Sequence, residues 1–125
     1  MKKLIIEEGL LLSDMEVVYQ GQSLRLKRVL VDTGSGGTIL SSDLVEKIGL
    51  IGEPADTIYR ISGVGGSEFV FLKVIDALKI GNLEVNDFTI EIGAMDYGFE
   101  LDGIVGLDFL KEVGAIIDLD RLLIS

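Results

Sequence analysis

The sequence contains no cysteine and no histidine. Without cysteine the chain can form no disulfide bond and carries no thiolate nucleophile, and without histidine it cannot assemble a Ser-His or Cys-His catalytic pair. Zinc sites built from these two residue types are excluded for the same reason. We therefore expect neither a metal nor a cofactor, and any catalysis must use other side chains.

Positive charge is also scarce, because 11 Lys and Arg residues oppose 21 Asp and Glu residues and leave a formal net charge of −10. Nucleic acids and anionic membranes would be repelled, so neither is expected as a partner. The apolar run Leu4-Ile5-Ile6 is too short for a secretory signal and no stretch approaches a membrane span. We expect a cytoplasmic location and one domain over residues 1–125.

The first informative motif is a strand that runs directly into a carboxylate loop. Val29-Leu30-Val31 has the branched apolar side chains of a buried strand, and it leads into Asp32-Thr33-Gly34-Ser35. The hydroxyls of Thr33 and Ser35 can donate to a carboxylate and so keep it ionised. Alone, the tripeptide is more typical of an ordinary turn in which Asp bonds its own backbone. This motif occurs once in the chain.

Two later segments add to this motif. Ser62, Gly63, Val64, Gly65 and Gly66 interrupt two extended stretches and predict a hairpin tip that could serve as a lid, although a simple hairpin turn would use the same glycines. Further on, Ile104-Val105-Gly106 predicts a second buried strand that ends at a glycine of close approach and precedes a helical segment.

Together these three motifs resemble the retropepsin-like aspartic proteases, over residues 24–125. Asp32-Thr33-Gly34-Ser35 matches the catalytic loop of that family, and Ile104-Val105-Gly106 matches the apolar strand that crosses beneath the loop. Val64 lies at the flap position whose backbone N–H bonds a water that bridges to substrate. The resemblance implies an all-β chain, mainly strands with one or two short helices, folded as a closed β-barrel with one lobe per chain.

The resemblance also implies a homodimeric endopeptidase. Aspartic proteolysis needs two carboxylates facing one water, and only Asp32 has the required strand and glycine context. A two-fold dimer would supply the second Asp32 by symmetry. In the family, Thr33 would reach across the axis, Ser35 would support the outer carboxylate oxygen, and the flap would cover an extended peptide substrate.

The chain departs from the retroviral pattern around the catalytic loop. Gly36, Gly37 and Leu107 occupy positions where retroviral enzymes usually have acidic residues and an arginine. We therefore expect a cellular or prokaryotic type of enzyme, with a dimer interface that uses other surfaces. The terminal segment 118–125 is the candidate, because its apolar end 122–124 calls for a cover.

An alternative function remains open, which is a non-catalytic peptide-binding or assembly module that retained the fold. The high acidity and the altered neighbours of Asp32 motivate it. Asp102 beside Gly103 is interpreted as a turn residue, and Glu91, Asp96 and Glu100 as solvated surface acids.

Periodicity predicts the remaining elements. Strands are expected over 4–8, 11–19, 24–27, 56–61, 68–80 and 83–92, with turns at Gly21-Gln22 and Gly81-Asn82 and a loop over 95–100. Ser41 or Ser42 should cap a short helix that ends at Gly49. A second helix is expected over 108–113, followed by segments 115–119 and 121–124 that pair across Asp120.

Overall fold

The computed structural model describes residues 1–63, 66–97 and 100–125. This part of the chain is built mainly of strands with two short helices, which confirms the predicted fold class. The strands are β1 (Lys2–Lys3), β2 (Ile5–Glu7), β3 (Leu10–Tyr19), β4 (Gln22–Val31), β5 (Ile39–Ser41), β6 (Ile58–Gly63), β7 (Gly66–Ile80), β8 (Leu83–Gly93), β9 (Gly103–Val105), β10 (Ile117–Asp118) and β11 (Leu123–Ile124). The helices are α1 (Ser42–Val45), extended by a 3₁₀ turn at Glu46–Ile48, and α2 (Leu107–Glu112).

Alternation of side chains explains the long hairpin β3–β4. Met15, Val17 and Tyr19 are buried while the residues between them are partly exposed, as expected for a strand with one face on the core. The turn lies at Gln20 and Gly21, one position earlier than predicted. Both residues have positive φ, 48° and 81°, the combination that matches the twist of a two-residue hairpin.

Six strands form a ring of hydrogen-bonded neighbours. β3 pairs with β4, β4 with β9, β9 with β5, β5 with β8, β8 with β7, and β7 returns to β3. This is the connectivity of a closed barrel, since the pairing leaves no edge within the ring. Within it β9 runs parallel to β4 and antiparallel to β5, so a strand from late in the chain lies between two early ones.

The strand predicted over 4–8 is observed as β2, and the two-residue strand β1 before it was not predicted. The chain changes partner at Leu4, whose side chain is buried and whose N–H donates to Leu122 O at 2.8 Å. β1 pairs with β11 on one side of this point, and β2 pairs with β3 on the other. The predicted pairing of the C-terminal segments is confirmed in β10–β11. Ile124 is buried, so this chain's own N-terminus covers part of its apolar C-terminal end.

The two helices end where glycines were expected to end them. Gly49 and Gly114 both take left-handed φ values, 77° and 63°, which a glycine adopts without steric cost. The predicted serine cap is wrong in detail, because Ser41 occupies the N-cap position without a side-chain hydrogen bond. In the described ranges, no helix has the length and apolar character needed to cross a membrane.

The buried side chains form two clusters. The larger one fills the ring of strands and includes Phe109 of α2, which contacts Phe88 edge to face at 6.3 Å between ring centroids. The smaller cluster joins Ile39 and Val70 with partly buried Leu30, Ile61 and Ile104. It lies next to the end of β4, where the loop that contains Asp32 begins.

A buried lysine anchors the segment that enters β6. The Lys73 side chain is only 7 % exposed and forms ion pairs with Glu53 and with Asp56, the latter at 3.2 Å. Burial alone would lower the pKa of Lys73, but hydrogen bonds to Glu53 and Asp56 outweigh it and raise the pKa above its usual value. The lysine therefore stays charged and holds residues 53–56 against β7.

Replacing Lys73 with Met should lower the free energy of unfolding by about 2–3 kcal/mol, because the largely buried Asp56 carboxylate loses its partner. Lys79 on the same strand is a matched control. It is 35 % exposed and lies 3.8 Å from each of two glutamates, so Lys79→Met should change stability by about 0.5 kcal/mol or less. Urea denaturation of both variants measures the difference, and equal effects would contradict this account of Lys73.

Candidate active site

Asp32 is the first residue after β4, and β9 holds it in place. Val31 faces Val105 in the parallel pairing of β4 with β9, and Asp32 N–H continues the ladder by donating to Val105 O at 3.0 Å. Thr33 and Gly34 then turn out to solvent, while Asp32 is partly buried. The carboxylate therefore stands at the end of a rigid strand and at the surface of the lobe, where a ligand or a second chain can reach it.

The loop contains the local turn that the motif alone predicted. Gly34 N–H donates to Asp32 Oδ1 at 2.9 Å, and Ser35 N–H donates to Asp32 O at 3.2 Å. The two interpretations of Asp-Thr-Gly are thus compatible, because the turn orients the carboxylate through one of its oxygens.

Ser35 has a different bond from the one the resemblance implied. Its hydroxyl donates to Gly37 O at 2.8 Å, not to the Asp32 carboxylate, so the expected support of an outer carboxylate oxygen is absent from this chain on its own. Ser35 O in turn accepts from Leu107 N–H at 2.7 Å. The side chain closes the loop on itself, and the main chain attaches the loop to the start of α2.

Gly106 lies directly beneath the loop. A Cβ built on it would come within 2.7 Å of Gly37 C and 2.8 Å of Ser35 O, distances that real Cβ atoms essentially never show. The backbone of the loop therefore occupies the space that a side chain at position 106 would need. Ile104 and Val105 bring Gly106 there through the pairing of β9 with its two neighbours.

Thr38 and Asp108 complete the support of the loop, and sequence reasoning missed both. Thr38 is 1 % exposed; its hydroxyl donates to Asp108 Oδ1 at 2.7 Å and accepts from Gly106 N–H at 3.0 Å. Thr38 N–H also donates to Asp108 Oδ2 at 3.2 Å. A hint was available, because Asp108 lies in the first turn of α2, where acidic residues commonly bond backbone N–H groups.

Glu91 was predicted to be a solvated surface acid, and this is wrong. Its side chain is partly buried beside the loop, where a Cβ on Gly37 would lie 3.1 Å from Glu91 Cδ. Tyr59 on β6 donates to Glu91 Oε2 at 2.6 Å. Burial, together with the hydrogen bond to Glu91, the charge of Glu91 and that of Asp108, raises the pKa of Tyr59 to about 12. Tyr59 therefore remains a hydrogen-bond donor at physiological pH.

A second phenol and carboxylate pair consists of Glu68 on β7 and Tyr97 in the segment after β8. Tyr97 donates to Glu68 Oε1, and Met95 N–H donates to Glu68 Oε2 at 3.2 Å. Burial, the bond to Glu68, and the charges of Glu68 and Glu91 raise the pKa of Tyr97 above its usual value. This pair attaches β7 to the segment that follows β8.

The predicted flap is an antiparallel hairpin, which we call the flap hairpin: β6 with the part of β7 that faces it, residues 58–63 and 66–71. Ser62 faces Ser67 and Gly63 faces Gly66 at its outer end. Val64 and Gly65, expected at the tip, lie outside the described residues. The hairpin side chains Ile61 and Val70 join the smaller apolar cluster, which also contains Ile39 and Ile104.

The Asp102 carboxylate bonds the backbone of β4, where its Oδ2 accepts from Lys27 N–H and Arg28 N–H, each at 3.0 Å. Asp102 was interpreted as a turn residue, and its carboxylate instead bonds a strand that lies more than 70 positions earlier in the chain.

Comparison with known proteins gives a consistent result. The model of a family described as aspartyl protease matches residues 15–109. The UBA domain-containing protein Mud1 of Schizosaccharomyces pombe is 35% identical over 97 residues, which are 75% of this chain and 27% of that relative. This chain thus spans about a quarter of the relative's length. Among solved structures, a retropepsin-like aspartic protease from Rickettsia conorii superposes with a TM-score of 0.69 at 18% identity, covering 100% of this chain and 97% of the other.

Gly106→Ala should disrupt the loop, because its methyl group would overlap main-chain atoms that cannot rotate away. We expect a loss of about 3 kcal/mol or more in the free energy of unfolding. Gly36→Ala is the control in the same loop, since a Cβ there has no heavy atom within 4 Å. Chemical denaturation of both variants tests the contact, and a Gly106→Ala protein as stable as Gly36→Ala would contradict it.

The titration of Tyr59 should be displaced toward pH 12. Because the pKa is raised in the folded state, the neutral phenol contributes stability that is present below pH 10 and lost as the pH rises toward 12. Tyrosinate absorbance measures this step, and Tyr59→Phe identifies it. Glu91→Gln should move the step to lower pH, since a charged acceptor becomes neutral while the burial remains. An unmoved step would show that Glu91 does not set it.

Proposed function

The chain belongs to the aspartyl protease family, and we propose that it is a homodimeric endopeptidase in which Asp32 from each of two copies activates one water. The observation that carries the proposal is the position of Asp32, which follows β4, donates its backbone N–H to Val105 O and is partly buried at the lobe surface. A loop built for a turn alone would not need a second strand and a side-chain-free glycine beneath it. The fold is retropepsin-like, in agreement with the structural comparison.

Two copies are needed because the chemistry requires two carboxylates. At about 3 Å and an effective dielectric constant near 20, two negative charges repel by roughly 5–6 kcal/mol. The pair therefore holds one proton and titrates as a unit. One Asp32 stays ionised as the base and the other is protonated as the acid. A two-fold axis that passes between the loops provides this pair, with Thr33 placed to cross it.

In the proposed reaction, the ionised Asp32 takes a proton from water while the water oxygen bonds to the carbonyl carbon of the scissile peptide. The protonated Asp32 donates to the carbonyl oxygen, which gives a neutral tetrahedral intermediate. Collapse of the intermediate returns the proton of a hydroxyl to a carboxylate, protonates the leaving nitrogen and breaks the C–N bond. No covalent bond to the enzyme forms.

The flap hairpin supplies the substrate side of the site. An extended peptide laid along it would gain main-chain hydrogen bonds, with Ser62, Gly63, Val64, Gly65 and Gly66 as the covering segment. The apolar floor beneath, which includes Ile39 and Ile104, favours apolar side chains around the scissile bond. Residues 1–125 act as one protease domain in this proposal. A cytoplasmic location, and the absence of nucleic acid or membrane partners, remain predictions.

Replacing Asp32 with Asn should abolish cleavage of a quenched apolar peptide library, because the amide can neither accept nor release the catalytic proton. Activity should fall by at least about 10³-fold while the dimer persists. A transition-state inhibitor of aspartic proteases should block the wild-type protein to the same extent. Cleavage that survives Asp32→Asn would contradict the proposed role of Asp32. A demonstrated dimer that cleaves nothing between mildly acidic and neutral pH would favour a non-catalytic peptide-binding module.

The need for two copies can be tested separately by mixing. A ninefold excess of Asp32→Asn chains, incubated with wild type until subunits exchange, should leave about one-tenth of the wild-type activity, since few wild-type chains then pair with each other. Asp43→Asn is the matched control, because Asp43 is exposed on α1. Adding that variant should increase the activity. An unchanged activity in the presence of Asp32→Asn would contradict a shared site.

A further inference from the structure

We propose that the Tyr59–Glu91 pair positions the flap hairpin over the loop that carries Asp32, which makes Tyr59 and Glu91 positioning residues of the reaction. The role in cleavage rests on the proposed function. The mechanical part, that this pair ties the hairpin to the loop, stands independently and can be measured without any substrate.

The flap hairpin ends in an edge strand, which a side-chain bond to another strand can stabilise. β6 is the last strand of its sheet, and its neighbour in the pairing order is β7. Its backbone is therefore secured on one side, and an edge strand of this kind opens more easily than a central one. Tyr59 is the second residue of β6 and lies opposite Val70, and its hydroxyl reaches past β7 to Glu91 on β8 at 2.6 Å. One side-chain bond thus spans two strand intervals.

The acceptor is itself attached to the catalytic loop. Glu91 N–H donates to Thr38 O at 2.9 Å, and the Glu91 carboxylate occupies the space beside Gly37 that a side chain would otherwise fill. Thr38 bonds Gly106 and Asp108 in turn. The position of Glu91 is therefore set by the loop, and the bond from Tyr59 transmits that position to the hairpin.

The second pair provides a contrast within the same hairpin. Glu68 on β7 is bonded to Tyr97 and to Met95 N–H, both in the segment after β8. The chemistry is the same, a phenol donating to a carboxylate, but the attachment does not lead to the catalytic loop. Tyr97→Phe is therefore a matched control for Tyr59→Phe, because each variant removes one phenol–carboxylate bond that attaches one strand of the hairpin to another part of the chain.

The expected consequence for the reaction is a change in KM. A hairpin that is already placed loses less conformational freedom when a peptide binds beneath it. Without the tie, substrate and transition state both bear the cost of ordering the hairpin, so KM rises while kcat changes little. For a hydrogen bond to a charged but partly exposed acceptor, we expect a rise in KM of about three- to tenfold.

The experiment compares Tyr59→Phe, Glu91→Ala and the double variant in two assays. Amide hydrogen exchange of residues 58–62 in the free protein should accelerate by about three- to tenfold in each variant, and KM should rise by a similar factor. The double variant should be no worse than either single one, because both remove the same bond. Glu91→Gln keeps an acceptor oxygen, so its exchange rate over residues 58–62 and its KM should stay close to the wild-type values.

Substitutions in the loop test the same bond, with Gly37 as the test position and Gly36 as the control. Gly37→Ala places a methyl group where the Glu91 carboxylate lies, so the carboxylate must move and the bond from Tyr59 is lost. Gly36→Ala meets open space and leaves the carboxylate in place. Exchange of residues 58–62 should therefore accelerate in Gly37→Ala and stay at the wild-type rate in Gly36→Ala.

The possible outcomes separate the two proposals. If amide exchange of residues 58–62 is unchanged in Tyr59→Phe, the Tyr59–Glu91 bond does not hold the hairpin and the proposal is overturned. If Tyr97→Phe raises KM as much as Tyr59→Phe does, the Tyr59–Glu91 bond only stabilises the hairpin in general, and the positioning role is overturned. If the wild-type protein cleaves no peptide, the proposed function and the role in catalysis fail together. The exchange assay then still decides the mechanical part.

Discussion

The contact between Gly106 and the Asp32 loop is the constraint on which the rest of the site depends. The carbonyls of Ser35 and Gly37 lie where the Cβ of any other residue would stand. This close approach allows Leu107 N–H to reach Ser35 O and Gly106 N–H to reach Thr38 Oγ1. A side chain at position 106 would separate the loop from β9, and the hydrogen bonds that orient the carboxylate would be lost with it.

Other contacts support this loop in place of the charged residues that retroviral enzymes usually have around it. Gly36, Gly37 and Leu107 offer no ion pair. The loop is instead supported by neutral donors and by carboxylates from later in the chain, Asp108 beneath it and Glu91 beside it. Because Gly37 has no side chain, β8 can place the Glu91 carboxylate next to the loop, and a tyrosine of the flap hairpin can then bond it. Gly37, which lacks the acidic side chain of the retroviral enzymes, thus leaves the space in which Glu91 accepts the bond from Tyr59.

Local patterns were sufficient to predict most of the secondary structure. The strand expected over 83–92 is observed as Leu83–Gly93, because alternation and branched side chains depend only on neighbouring residues. The strand β1 was missed, since it has only two residues and it forms by pairing with β11 at the other end of the chain. Asp32 and Gly106 were found because each follows a short apolar strand. Thr38 with Asp108 and Tyr59 with Glu91 were not, because these partners are 70 and 32 positions apart and neither pair has a local signature.

From the sequence one can read that Asp32 ends a buried strand, that glycines follow it, and that no second such aspartate exists in the chain. These properties depend on residue type and on spacing over a few positions, so they do not depend on how the strands pair. The partners of each polar group were decided by strand register. Thr38 illustrates the difference, since its hydroxyl donates to Asp108, 70 positions later in the chain, and accepts from the N–H of Gly106, the residue that follows β9. A shift of one residue in the pairing of β4 with β9 would move every such group by about 3.3 Å, more than the length of a hydrogen bond.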